Sequence, residues 1–267
     1  MTDGQREAGR LAEYWDSAIA EWAERRPSLL WRAHSDAVNA SLLERWLPAG
    51  RLRHVLKTDL FDEAVADGLY PVLSGRADRV TGIDVSPKIA GAARSRYPAL
   101  ETVVADVLAL PFAESTFDAV VSLSTLDHFD SPDKIRAALL ELHRVLAPGG
   151  TLIVTLDNAV NPAVAVRNRL PYPLLHKLGM VPYQVGVTRA PRRFDALLRA
   201  AGFDVADSQF VLHCPRMLAV GTARALERFG RGAAQFLRAL RWFERLDRWP
   251  TRSLTGYYIA ARALKRS

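Results

Sequence analysis

Residues 79–97 read RVTGIDVSPKIAGAARSRY and join a short strand to a helix. The segment RVTGID is typical of a short strand, and the acid Asp84 stands at its end. Ser86 followed by Pro87 is the pattern of an N-cap and the first helical residue. The stretch therefore predicts one β-α unit of an α/β sheet, with a carboxylate at the carboxyl end of its strand.

Further units of the same kind surround this one. The chain predicts seven strands, at 54–57, 79–84, 100–104, 117–123, 151–156, 203–212 and 255–264. Helices are expected between them at 62–74, 86–97, 133–145 and 190–201. The run FDAVVSL at 117–123 is continuously apolar, as in a strand covered on both faces. The order predicts an α/β fold: a doubly wound, Rossmann-like, mostly parallel seven-stranded sheet.

The remaining segments are additions to this sheet. Residues 1–50 predict a helical N-terminal cap, because apolar residues recur at helical spacing on both sides of a break at 25–27. Residues 51–267 are expected to form the Rossmann-like domain, which includes a Pro- and Asn-rich connector at 157–188. A helical insertion at 215–250, before the last strand, is amphipathic and is expected to break near Gly230–Gly232.

Composition limits the classes of protein to consider. The chain has 267 residues, of which 49% are hydrophobic and 24% charged, as in ordinary globular proteins. It shows no apolar run long enough to span a bilayer and no secretory signal pattern, so a cytoplasmic location is expected. The single cysteine, Cys214, excludes intramolecular disulfides. No residues stand at metal-ligand spacing, and no metal site is expected.

Polar side chains follow successive strands. Asp59, Asp84 and Asp106 come after the first three strands, and Ser124 follows the fourth. The carboxyl ends of parallel strands meet at one edge of a sheet, where ligands of such folds bind. A carboxylate after the second strand suits the two hydroxyls of a ribose. One after the third strand can accept a hydrogen bond from the amine of adenine.

Three motifs carry a resemblance to a known family: GIDVSP at 82–87, ADVLALPFAESTFDAVVS at 105–122 and LHRVLAPGGTLIVT at 142–155. Together they resemble class I S-adenosylmethionine-dependent methyltransferases of the small-molecule type. The resemblance implies that S-adenosylmethionine is the cofactor. It also implies roles for particular residues: ribose binding at Asp84 and Val85, adenine binding at Asp106 and Val107, and contact with the methionine end at Leu123 and Ser124.

The first motif of this family is altered. Residues 55–64 read VLKTDLFDEA, where the family has a strand, an acid and three alternating glycines. Lys57 stands at the acid, and Asp59, Phe61 and Glu63 stand at the glycines. Either the loop is rebuilt, with Thr58 and Asp59 contacting the cofactor and Asp59 holding its ammonium group, or cofactor binding is lost and the domain is a scaffold. The intact later motifs favour a rebuilt loop.

The acceptor side of the site is less clearly marked. His128, just after the fourth strand, is the candidate general base, because its pKa lies near neutrality. A turn or helix-capping role is the alternative. Further candidates for the acceptor pocket are His34, Asn39, Tyr183, His213 and Arg216. Helix packing or loop hydrogen bonding would equally explain these side chains, and Cys214 is expected to be a small buried hydrophobe.

Charge separates the two parts of the chain. The formal net charge is +7, and residues 189–267 hold fifteen Arg and one Lys against six acids. The basic insertion is either a lid over the pocket or an interfacial helix resting on anionic lipid at the inner face of the membrane. No RNA-binding signature is present, so no nucleic acid partner is expected.

The sequence thus predicts transfer of a methyl group from S-adenosylmethionine to an oxygen or nitrogen of a small or lipid-like acceptor. One alternative is a non-catalytic module of the same fold whose basic helix contacts a membrane or a partner. Another keeps the cofactor and transfers a different group from it. The fold by itself does not choose among these.

Overall fold

The computed structural model describes residues 3–24, 28–177, 185–230 and 232–266. The strands are β1 Leu52–Lys57, β2 Ala77–Asp84, β3 Glu101–Val104, β4 Phe117–Ser122, β5 Leu146–Asp157, β6 Phe203–Val211 and β7 Tyr258–Lys265. The helices are α1 Asp3–Glu24, α2 Leu29–Trp46, α3 Phe61–Val65, α4 Tyr70–Arg76, α5 Pro87–Arg96, α6 Pro132–Val145, α7 Pro162–Arg167, α8 Tyr172–Lys177, α9 Pro191–Ala200, α10 Arg216–Phe229, α11 Ala233–Phe243 and α12 Arg252–Thr255. Short 3₁₀ helices occupy Leu126–His128 and Glu244–Arg248.

The strands form one seven-stranded sheet in the order β3-β2-β1-β4-β5-β7-β6. Strands β1 to β5 are parallel to one another, and β7 runs antiparallel to both β5 and β6. The predicted Rossmann-like, mostly parallel seven-stranded sheet is therefore confirmed. The strand order reverses between β1 and β4, and this switch point is where a parallel sheet opens a ligand crevice.

Two hydrophobic layers cover the sheet. Adjacent residues of β4 divide between them: Val120 packs with Leu139 of α6 on one face, and Val121 packs with Ile89 of α5 on the other. This alternation follows from the two-residue period of a strand. Burial on both faces explains why the apolar run of β4 is continuous rather than alternating.

The region after β1 differs from the sequence expectation. A single helix was expected at 62–74, but α3 and α4 are separate. Helix α3 ends at Val65, where Ala66 is extended, and Gly68 lies between the two helices with φ of +60°, a conformation that glycine adopts readily. Asp62 was expected to cap the helix, yet Leu60 occupies the N-cap position and no side chain caps it. The break between α3 and α4 thus comes directly after the glycine-free segment 55–64.

Other helix ends agree with the sequence. Ser86 Oγ accepts a hydrogen bond from the backbone N–H of Ile89 at 3.1 Å, so it caps α5 as expected. The basic insertion forms α10 and α11, and it breaks at Gly230 and Gly232, both in left-handed conformations. The predicted break at 25–27 lies outside the described residues. None of the helices described has both the length and the apolarity needed to cross a bilayer.

Strand β2 makes unusually close contact with the segment that follows β1. A Cβ added at Gly82 would lie 2.3 Å from Cδ2 of Leu60, a side chain with no solvent exposure. We therefore expect Gly82→Ala to destabilise the protein by about 1–3 kcal/mol, because the buried leucine must move. Gly91, in α5, has no atom within 4 Å of the corresponding position. Gly91→Ala should stabilise the protein by about 0.5–1 kcal/mol through helix propensity.

Urea unfolding of both variants measures these changes. Equal unfolding midpoints for Gly82→Ala and the unmodified protein would contradict the close contact between Leu60 and β2.

Candidate functional site

A cavity of about 440 Å³ opens at the carboxyl ends of β1, β2 and β4. Helices α1, α2 and α10 cover it. All eight residues predicted to bind the cofactor line this cavity: Thr58, Asp59, Asp84, Val85, Asp106, Val107, Leu123 and Ser124. The candidate base His128 lines it as well, together with Asn39 and Arg216 of the predicted acceptor set. Residues from six separate segments thus meet in one space.

A buried ion pair holds the loop that follows β1. Lys57 Nζ lies 2.8 Å from Glu63 Oε2, and the two side chains are 5% and 0% exposed. Lys57 Nζ also donates to the backbone carbonyl of Asp59. Burial by itself would lower the pKa of Lys57, but the negative charges of Glu63 and Asp59 outweigh it and raise the pKa above its ordinary value. Lys57 is therefore charged, and its ammonium group is bound by groups of its own loop.

Glu63 also fixes the next turn of chain. Its Oε1 accepts hydrogen bonds from the backbone N–H groups of Leu69 at 2.8 Å and Tyr70 at 3.1 Å. Backbone N–H groups at the start of a helix have no partner within the helix, and the helix dipole favours a carboxylate at that end. One buried side chain thus joins the end of β1 to the beginning of α4.

Two glycines outside the loop make room for it. At Gly82 an added Cβ would meet Leu60, and at Gly68 it would lie 2.6 Å from Cδ of Glu63. The family places its glycines within the loop, where they allow close approach of the backbone. In this chain larger residues replace the loop glycines, and Gly82 and Gly68 lie opposite two side chains of the loop, those of Leu60 and Glu63.

Acidic groups surround the cavity end of the loop. Asp59 Oδ1 accepts a hydrogen bond from the backbone N–H of Phe61 at 2.9 Å, and the Asp59 side chain is 22% exposed. Asp62 forms an ion pair with Arg32 of α2, whose guanidinium lies 5.7 Å from the centre of the Phe61 ring. Burial, opposed by Lys57, raises the pKa of Asp59 to about 6.

Asp84 ends β2 with its carboxylate turned toward the same loop. Its Oδ2 accepts from the backbone N–H of Leu60 at 3.2 Å, and its Oδ1 accepts from that of Ser86 at 2.9 Å. Burial and the charge of Asp59 raise the pKa of Asp84 to about 7. Burial and the charge of Asp62 likewise raise the pKa of Asp36, on α2, to about 7.

The third and fourth strands end in ordered turns. Asp106 Oδ1 accepts from the backbone N–H of Leu108 at 2.9 Å, which fixes its carboxylate, and Val107 is buried beside it. Ser124 adopts a positive φ of 57°, an uncommon conformation for a residue with a Cβ and one found at ligand sites. Its N–H donates to Thr155 Oγ1 at 2.9 Å.

The acceptor side is aromatic. His128 lies at the end of a 3₁₀ helix, and its ring packs edge-on against Trp15 of α1 with centroids 4.8 Å apart. Arg216 of α10 lies over the rings of Tyr257 and Trp31, and its Nη1 donates to Tyr258 Oη at 3.2 Å. This set gives the cavity flat apolar walls with cationic and hydroxyl groups at one side.

Two predicted acceptor residues lie elsewhere. His213 is buried behind β6, where its Nδ1 pairs with Thr255 Oγ1 at 2.7 Å and its Nε2 with the carbonyl of Phe210 at 3.0 Å. His34 is buried beside Cys214 and Glu244, outside the cavity lining. His34 faces the insertion and His213 is held by Phe210 and Thr255, so neither side chain reaches the cavity. Tyr183 lies outside the described residues.

The sequence did not identify several side chains of the cavity wall. Trp15, Trp31, Met217 and Tyr258 line the cavity, and Lys57 holds its loop. The aromatic residues belong to amphipathic patterns that equally predict ordinary core positions. Lys57 and Glu63, six residues apart with opposite charges at two aligned family positions, did offer a signal of pairing.

Comparisons with known proteins agree with this geometry. Residues 61–154 match the model of a family described as a methyltransferase domain. A probable tRNA methyltransferase 9B from Mus musculus is 38% identical over 109 residues, which are 39% of this chain and 24% of that protein. A demethylmenaquinone methyltransferase from Thermus thermophilus is 34% identical over 143 residues, which are 47% of this chain and 64% of that protein. The chain thus spans about a quarter to two thirds of these relatives.

Solved structures share the fold. The Burkholderia thailandensis 1,6-didemethyltoxoflavin-N1-methyltransferase, with bound S-adenosylhomocysteine, superposes with a TM-score of 0.57 and 17% identity over 100% of this chain and 92% of that one. The [4+2]-cyclase SpnF superposes with a TM-score of 0.56 and 22% identity over 86% and 80%. The resemblance to class I S-adenosylmethionine-dependent methyltransferases is confirmed, and the comparisons support the predicted cofactor.

One prediction is wrong. No nucleic acid partner was expected, but curated relatives from mouse and human are named as probable tRNA methyltransferases, and another from Arabidopsis thaliana as a tRNA methyltransferase. An RNA-binding signature was the wrong criterion, because an enzyme that modifies a base can recognise it within its own cavity.

The Lys57–Glu63 pair should couple strongly in a double-mutant cycle. Lys57→Met and Glu63→Gln should each lower the free energy of unfolding by about 3–5 kcal/mol, because each leaves a buried charge without its partner. The double variant should lose clearly less than the sum. Arg79→Met and Glu101→Gln, in an exposed pair with a 2.9 Å contact, serve as the control cycle and should couple by less than about 1 kcal/mol. Additive losses at Lys57 and Glu63 would contradict the pairing.

The raised carboxyl pKa values predict a pH dependence of the ligand-free protein. The folded pKa of Asp36 is about 7 against an ordinary 3.8, so its contribution to stability is present below pH 4 and is lost as pH rises through 7. Asp36→Asn should therefore raise the melting temperature at pH 8 clearly more than at pH 5, because only part of the contribution has been lost at pH 5. Asp78→Asn, at an exposed ion pair with Arg51, is the control. Parallel melting curves for Asp36→Asn and the unmodified protein at both pH values would contradict this.

Proposed function

We propose that this chain is an S-adenosylmethionine-dependent methyltransferase. It has the class I methyltransferase fold, and its residues 61–154 match a methyltransferase-domain family. The observation that carries the proposal is the convergence of the three strand-end acids Asp59, Asp84 and Asp106 in one cavity. In this proposal Asp84 accepts from the ribose hydroxyls, and Asp106 accepts from the adenine amine above Val107.

The methionine end of the cofactor meets the rebuilt loop. The cofactor carries an ammonium and a sulfonium, so this end of the site must offer negative charge. A lysine at the family's acid position would repel the ammonium, but Lys57 Nζ is bound to Glu63 and to a backbone carbonyl. Asp59 keeps one side exposed to the cavity and supplies the carboxylate. Burial raises the pKa of Asp59, the neighbouring acids Asp62 and Glu63 raise it further, and a bound cation would favour the ionised carboxylate.

Methyl transfer is an in-line displacement in which the acceptor atom attacks the methyl carbon as its bond to sulfur breaks. The main contribution of the protein is to position the acceptor. His128 lies on the acceptor side and is the proposed base for the acceptor proton. Trp15 and Trp31 offer flat surfaces for an acceptor with an apolar or aromatic portion. Oxygen or nitrogen is the proposed acceptor atom.

The test for activity measures S-adenosylhomocysteine release with three acceptors for which relatives of this chain are named: a tRNA, a demethylmenaquinone and a malonyl-acyl carrier protein. His128→Gln should lower turnover at least about a hundredfold if it removes the general base. Cofactor binding without turnover on any acceptor would favour the second function, in which the cofactor is bound for another reaction. A neighbour of this fold named as a cyclase supports that alternative.

Calorimetry with S-adenosylmethionine and S-adenosylhomocysteine tests the binding site. Asp84→Asn should weaken binding of both about 10–100-fold, because a charged hydrogen-bond acceptor is lost. Asp59→Asn should weaken both by about tenfold on the same grounds. Asp78→Asn, far from the cavity, should leave affinity unchanged.

Two outcomes would count against the proposal in different ways. Absence of binding to either ligand at millimolar concentration would indicate a scaffold. Full affinity in Asp59→Asn would show that the ammonium is held by another group.

A further inference from the structure

Three side chains from distant parts of the chain meet outside the cofactor cavity. His34 lies on α2, Cys214 follows β6, and Glu244 begins the 3₁₀ helix after α11. One ligand atom of each residue lies within 4.8 Å of the other two. His34 Nε2 is 3.4 Å from Glu244 Oε1, and Cys214 Sγ is 3.9 Å from His34 Nε2. None of the three lines the cofactor cavity.

These separations match those between the ligands of a tetrahedral zinc ion. With zinc bonds of about 2.0 Å to nitrogen and oxygen, the nitrogen and oxygen stand about 3.3 Å apart. With a zinc–sulfur bond of about 2.3 Å, sulfur and nitrogen stand about 3.6 Å apart. The observed distances of 3.4 Å and 3.9 Å therefore need a contraction of a few tenths of an ångström. Thiolate, imidazole and carboxylate are all ligands that Zn²⁺ accepts.

The ligand atoms are already oriented. Both carboxylate oxygens of Glu244 accept backbone hydrogen bonds, from Leu212 and His213 at 3.1 Å each. Such outer contacts are what fixes a metal-binding carboxylate. The His34 ring is fully buried, and its Nδ1 makes no hydrogen bond within the described residues. The position of this ring is therefore set by packing and by what its Nε2 meets.

An apolar layer encloses the group. Trp31, Ala219, Phe236, Leu240 and Phe243 pack around Cys214. Without a cation, a thiol, an imidazole and a carboxylate in this layer satisfy one another poorly, because the two contacts at His34 Nε2 are long for hydrogen bonds. The Glu244 side chain is 22% exposed, so the group meets solvent at this side chain.

We propose that His34, Cys214 and Glu244 bind one Zn²⁺, with water as the fourth ligand. Binding converts the Cys214 thiol to a thiolate, and the proton passes to solvent. The ion would tie the cap, the end of β6 and the basic insertion together at one point. No metal site was expected from the sequence, because the ligands stand at positions 34, 214 and 244 and show no local spacing.

The test uses the full-length protein and Zn²⁺ or Co²⁺ alone. We expect about one Zn²⁺ per chain after dialysis against micromolar ZnCl₂, measured by plasma mass spectrometry. The Co²⁺ form should show d–d absorption of tetrahedral cobalt and a sulfur-to-cobalt charge-transfer band. Cys214→Ser should abolish that band and weaken Zn²⁺ binding at least about tenfold. His176→Gln, a partly exposed histidine paired with Glu21, should change neither measurement.

The Co²⁺ spectrum of the unmodified protein is a test by itself, so the proposal stays testable even if Cys214→Ser fails to fold. Less than a tenth of an equivalent of bound Zn²⁺, or an octahedral Co²⁺ spectrum without the sulfur band, would overturn it. So would unchanged Zn²⁺ affinity in a folded Cys214→Ser or His34→Gln variant. A chelator should also lower the melting temperature of the Zn²⁺-loaded protein and leave Cys214→Ser unaffected.

Discussion

The buried ion pair between Lys57 and Glu63 is the constraint on which the site depends. It replaces the acid and the last glycine of the usual first motif by two opposite charges that neutralise each other. Removing both charges from water is costly. The Asp59 carbonyl, which accepts from Lys57, and the N–H groups of Leu69 and Tyr70, which donate to Glu63, offset part of that cost. The pair thereby fixes the path of the chain from β1 to α4, and with it one wall of the cofactor cavity.

Charge balance connects this loop with the cofactor. Asp36, Asp59 and Asp84 all have raised pKa values, since burial and, second to it, the charges of neighbouring acids disfavour their ionised forms. Lys57 and Arg32 balance only part of the negative charge, because each is already paired with an acid. An excess of buried acids in the ligand-free site suits the ammonium and sulfonium of the proposed cofactor.

Sequence patterns were sufficient to predict the strands of the sheet and the residues at the edge of the cavity. Strand ends are set by local apolar runs and caps, so Asp84, Asp106 and Ser124 could be placed from RVTGIDVSP, ETVVAD and FDAVVSL. The split of 62–74 could not, because it depends on Glu63 reaching Leu69 across a turn. His34 and His213 were predicted to line the acceptor pocket but lie outside the cavity. The sequence shows that a residue is polar, but not which face of its helix or strand is covered. The three proposed zinc ligands were invisible for the same reason: they meet through the packing of α2 against the insertion.

A crystal structure with S-adenosylhomocysteine tests the central claim most directly. The account predicts the homocysteine ammonium within hydrogen-bond distance of Asp59, the ribose hydroxyls on Asp84, and Lys57 still paired with Glu63. A ligand whose ammonium lies away from Asp59, or a loop in which Lys57 has left Glu63 to contact the ligand, would contradict it.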